Sequence, residues 1–170
     1  MTTGLIAVLA ALSLPPVSRD TVPLYTDLGT LEVPITTSAP LAQRYFDQGM
    51  RLTYAFNHPE AIRSFQAALA QDSTCAMCWW GVAFALGPNI NAPMDSASGM
   101  AAWRAAREAA RWAPNATPRE QAYIRALQAR YSDPPAAPRA ALDTAYAEAM
   151  LAVAQAYPDD PDAATLAADA

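Results

Sequence analysis

Lysine is missing from this chain altogether: all eleven basic residues among its 170 are Arg. With abundant Ala and Pro, that absence reads as a coding bias rather than as chemistry. The net charge is -5 and the pI near 4.7, which argues against nucleic acid, a partner that demands basic surface. No run reaches about 18 apolar residues, so no membrane-spanning helix is expected. One His and two Cys leave thin options for general acid–base or nucleophilic catalysis. There is no G-x-S-x-G, no H-E-x-x-H, no phosphate-binding glycine loop and no tight carboxylate pair on one helix. The chain is therefore read as non-enzymatic, with no cofactor and no metal.

What is present supports one domain. Hydrophobic residues make up 53% of the chain and charged ones 16%, although Ala, a strong helix former that buries little surface, swells the apolar share. Leu5 to Leu12 is an apolar run of signal-peptide length, and Ala11-Leu12-Ser13 offers small residues for cleavage. The preceding Met1-Thr-Thr-Gly carries no basic side chain. Residues 1–18 are read as a signal-like segment, and the protein as exported by a bacterium to the periplasm or outside. At the other end, residues 158–170 open a further helix at Asp160-Pro161-Asp162 and stop without a cap. A truncated repeat in the N-terminal part of a longer protein is the expectation.

A register repeating after 34 residues organises the middle. Tyr45, Gly49 and Leu52 are matched by Trp79, Ala83 and Leu86, and Ala61, Phe65 and Ala68 follow the first set. Large and small residues at these offsets suit closely packed antiparallel helix pairs that need neighbouring pairs to bury their apolar faces. Helices are expected over about 38–56, 60–71, 75–86, 99–113, 117–131 and 139–157. Ser38 and Thr74 are the expected caps of the first and third helices. Residues 19–37, with Pro23, Pro34 and no helical period, read as an extended lead-in. The connection 87–98 is about seven residues longer than a tight turn, judged from Ala102, Ala106 and Ala109.

Cys75-Ala-Met-Cys78 is the one chemically loaded motif. Both thiols fall in the first turn of a helix, where the dipole favours a thiolate. A disulfide, a packed dithiol, and a metal or catalytic site all remain open. Zinc would need two more ligands, and Trp79 stands where haem attachment requires His. The only histidine, His58, falls at the opposite end of its helix pair, roughly 15 Å from the thiols for about eleven residues at 1.5 Å each. It is expected near the inserted loop with Asn89, Asn91, Met94 and Asp95. It is either a helix-start histidine bonding loop carbonyls or part of a small-ligand or metal site with Met94 and Asp95.

The slots filled by Tyr45, Gly49, Leu52, Ala61, Phe65, Ala68 and Trp79 resemble those of the tetratricopeptide repeat (TPR) family. The resemblance covers about residues 40–157: the first repeat (38–73) closely, the second (74–114) with an insertion, the third (117–157) by position only. It implies an all-α solenoid acting as a protein-interaction scaffold, with Trp79 in the core and Trp80 turned to a concave face. Family ligand contacts, carried over residue by residue, fall on Gln43, Phe46, Met50, Tyr54, Met77, Trp80 and Phe84. Such an apolar, Met-rich stripe suits a protein or peptide segment, unless residues 21–37 cover it. The alternative reading is a periplasmic redox or metal-handling protein using Cys75 and Cys78. A third is self-association through uncapped repeat ends.

Overall fold

The computed structural model describes residues 22–89, 91, 94–132 and 138–170. The signal-like segment 1–18 and Asp133-Pro-Pro lie outside the described residues, as do Ile90, Ala92 and Pro93. The described chain is all-helical, with seven α-helices: α1 (Pro40–Tyr54), α2 (His58–Gln71), α3 (Ala76–Leu86), α4 (Ser96–Trp112), α5 (Pro118–Gln128), α6 (Arg139–Ala156) and α7 (Pro161–Asp169). Each helix packs against the next in sequence, and α1, α3 and α5 also touch one another in succession.

Local chemistry sets the helix starts. Pro40, Pro59, Pro118 and Pro161 occupy first-turn positions, where a missing N–H is harmless and φ is already helical. Thr117 and Glu120 form a capping box on α5, and Asp95 and Asp160 cap α4 and α7 through their carboxylates. Two expected caps are corrected. Ala39, not Ser38, holds the cap position of α1 and makes no side-chain cap bond. Cys75, not Thr74, caps α3, its Sγ accepting from Cys78 N at 3.1 Å. Thr74 is instead tied back to the preceding turn, its N–H and its hydroxyl both donating to Asp72 Oδ1.

The core is built on one aromatic ring. A Cβ placed on Gly49 of α1 or on Gly81 of α3 would meet the Phe65 ring of α2 at 2.5 Å. Phe65 is fully buried, as are Ala61 and Ala68 beside it. Ala102, Ala105, Ala106 and Ala109 of α4 are buried in turn, so the inner face of α4 is made of small residues. Helix α3 is apolar on every side, as a central helix must be.

The inner stripe is the main correction. Phe46 is 0% exposed, Met50 1%, Met77 3%, Trp80 1% and Phe84 7%; only Tyr54 is half-buried. These residues are core, not an open concave surface. Phe46 packs against Phe65 at 5.4 Å, and Trp80 stacks on Phe84 at 5.0 Å while meeting the edge of Tyr123 at 5.9 Å. Tyr54 donates its hydroxyl to Asp162 of the α7 first turn at 2.8 Å. Trp79 and Trp80 exchange the roles expected of them. Trp79 is half-buried, its Nε1 donating to the Ser73 carbonyl at 3.0 Å, whereas Trp80 is enclosed. Burial therefore centres one residue, or about 100° of helix, past the expected line, because α5 packs on that side of α3.

Gly49→Ala should destabilise the protein by about 1–3 kcal/mol, since the Phe65 ring has no room to retreat. An unshifted urea midpoint would contradict the clamp. Trp80→Ala should lower stability by about 3–5 kcal/mol, the range for emptying a large aromatic site, again read by urea unfolding.

Candidate functional site

The lead-in residues 22–37 lie extended against α1, and side chains rather than a neighbouring strand satisfy their backbone. Tyr25 N donates to Gln48 Oε1 (2.8 Å), Val33 N to Asp47 Oδ1 (2.9 Å), Ile35 N to Gln43 Oε1 (3.0 Å) and Thr36 N to Glu120 Oε1 (2.6 Å). In the other direction, Gln48 Nε2 donates to Pro23 O (2.9 Å), Arg51 Nε to Leu31 O (2.7 Å), Gln43 Nε2 to Val33 O (2.9 Å) and the Tyr45 hydroxyl to Val22 O (2.9 Å). Gln43 and Gln48 each both donate and accept, reading the extended chain as a paired strand would. Val33 supplies the buried apolar anchor at 4% exposure. Asp47 and Glu120 are themselves buried. Burial pushes the Asp47 carboxyl above the ordinary range, opposed by hydrogen bonds from Val33 N and Gln43.

A second feature is a cavity of about 200 Å³ where the α1–α2 turn, the end of α3, the start of the 87–95 connection, the residues just after α5 and α7 converge. His58 and Asn89 line it, as do Tyr54, Phe84, Arg130 and Asp169. Neither ring nitrogen of His58 has a hydrogen-bond partner, although both are shielded from solvent. Arg130 is 6% exposed. Its Nη2 donates to Pro88 O at 2.7 Å and its Nε has no partner. The guanidinium carbon lies 4.5 Å from the Tyr146 ring centre and 5.8 Å from that of Phe84.

Of the loop residues expected to gather with His58, only Asn89 does so. The Asn91 amide donates to Asn89 Oδ1 on the exposed side. Asp95 is occupied capping α4, and Met94 lies over Gly99. The proposed grouping of His58, Met94 and Asp95 is thus not assembled. Among the described residues no cluster of His, Cys, Asp and Glu could hold a metal ion, and no helix is long and apolar enough to cross a membrane.

Cys75 and Cys78 are joined by a disulfide, with Cα atoms 5.3 Å apart. Cys75 is 2% exposed and Cys78 fully enclosed. Exchange with a partner thiol requires in-line access to a sulfur, which this packing denies.

Nothing in the sequence marks Arg130 or Asp169, since an Arg just past one helix and an Asp at the end of another carry no local signal. Asp47 and Gln48 were missed for the same reason, and Gln43 was noted only through the family resemblance. Comparison with protein-family models, with curated proteins and with solved structures gives no match.

Burial holds the His58 imidazole below its ordinary value of 6.5; nearby Asp169 opposes this and Arg130 adds to it. A group with a depressed folded pKa binds protons better when the chain is unfolded. Its contribution to stability is therefore complete above about pH 6.5 and is lost as pH falls through the folded value. As the sole histidine, His58 should titrate in a proton NMR series with a midpoint below 6.5. His58→Gln should flatten the pH dependence of stability just below that value. A midpoint at or above 6.5 would contradict the buried, unpaired ring.

Proposed function

We propose that this chain is a non-catalytic interaction module of TPR-like helical-repeat type that binds an extended peptide segment. Its own lead-in occupies the binding track. The observation that carries this reading is the two-way set of side-chain bonds from Gln43, Asp47, Gln48, Arg51 and Glu120 to the backbone of residues 23–36. A helical surface that met a lead-in merely by apolar contact would leave those backbone groups to water. The succession of packed helices, with α1, α3 and α5 in mutual contact, agrees with a repeat array. The recognition surface is polar, along α1 and the start of α5, rather than the apolar stripe. Selectivity then comes from the enclosed site of Val33 and from Thr36, whose hydroxyl donates to Glu120 Oε2 at 2.5 Å. An exported location is consistent with the disulfide, which oxidising compartments favour.

In the full chain, Val33→Pro/Ile35→Pro removes two backbone donors and loosens the lead-in. A labelled synthetic peptide spanning residues 22–37 should bind this variant at least tenfold more tightly than it binds the unaltered protein, as read by fluorescence anisotropy. If the variant keeps its helical circular dichroism yet binds the peptide no better than the parent, the peptide-track reading fails.

A further inference from the structure

The cavity where the ends of α1 and α3, the start of α2, α7 and Arg130 beyond the end of α5 converge holds two side chains with enclosed, unpartnered nitrogens, Arg130 and His58. Arg130 is a buried cation with no carboxylate bonded to it among the described residues. An enclosed charge without a counter-ion is strongly unfavourable, and among the described residues only the Pro88 carbonyl and two aromatic rings answer it. His58 adds two shielded, unbonded ring nitrogens in the same cavity. The carboxylate in the wall, Asp169, is exposed to solvent, which screens it far more than the enclosed guanidinium.

The backbone at the cavity mouth carries a third sign. Helix α1 ends in paired bonds from Phe56 N to Thr53 O and from Asn57 N to Leu52 O, each 2.9 Å. This closure places residue 56 in the left-handed region, where glycine is favoured. Phe56 stands there instead at φ 57°, 53% exposed, its ring edge-on to His58 at 6.2 Å. A bulky side chain held in that conformation is disfavoured, and such strain concentrates at ligand sites. An exposed ring gives the folded chain no core packing to offset it.

We propose that this cavity binds a small monocarboxylate with an apolar body. The carboxylate neutralises Arg130 and accepts a hydrogen bond from neutral His58. The apolar body lies against Phe56, Phe84 and Leu166. The volume suits a ligand of benzoate size.

Benzoate, benzyl alcohol and benzylammonium are titrated into the full chain by calorimetry, with the His58 ring proton followed by NMR. Benzoate should bind at least tenfold more tightly than the other two and shift the His58 resonance saturably. Phe56→Gly relieves the strained position and is expected to fold with no loss of melting temperature, while weakening benzoate about fivefold or more. Arg130→Met should remove the preference for benzoate over benzyl alcohol. If Arg130→Met does not fold, Phe56→Gly and the three-ligand comparison decide alone. The proposal is overturned if benzoate leaves His58 unmoved, if benzylammonium binds as well as benzoate, or if Phe56→Gly binds benzoate unchanged.

Discussion

Three helices meet on the ring of Phe65, and the distance at which they meet is fixed by two hydrogen atoms. Gly49 and Gly81 present no side chain to the ring, so α1 and α3 approach α2 to a separation that any Cβ would forbid. That close approach brings Phe46, Met50 and Met77 into the core, and α5 completes the cover over Trp80. The glycines that close the clamp are 32 residues apart rather than 34. The clamp is therefore not a copy of the repeat register. It joins the first helix pair to the next.

Much of this architecture was legible because helices announce themselves locally. Proline in first turns, the Ala61, Phe65 and Ala68 spacing, and the insertion inferred from Ala102, Ala106 and Ala109 each depend on residues within a few turns. All six of those apolar residues are enclosed. What was not legible depends on which face receives a third neighbour. Trp79 and Trp80 are adjacent, both large and aromatic, and only the position of α5 decides that Trp80 is covered. The cavity was illegible for a stronger reason. Its walls come from residues 53–58, 84–89, 130 and 165–169, and no sequence window contains more than a fragment of it.

Asp47 and Gln48 look from sequence like part of a solvated helix face, the usual fate of such residues. In the folded chain Asp47 and Gln48 are among the few buried polar groups. Placing amides and carboxylates in a core requires partners with matching donors and acceptors, and an extended backbone offers both in alternation. The lead-in and the α1 polar face are thus mutually necessary.

Two of the polar regions among the described residues follow opposite rules, and the contrast locates the unmet chemistry. Along α1, enclosed oxygens and nitrogens are matched to lead-in backbone groups. Around the α1–α2 turn, Arg130 Nε and both nitrogens of His58 are enclosed without a match. A sequence able to pair enclosed groups in one place is not short of the means to do so in another. Nor does packing require the cation, because a side chain of similar volume without charge would fill the space between Phe84 and Tyr146. Unpaired donors gathered in one cavity, beside a phenylalanine in a glycine conformation, are arranged for something outside the chain to complete.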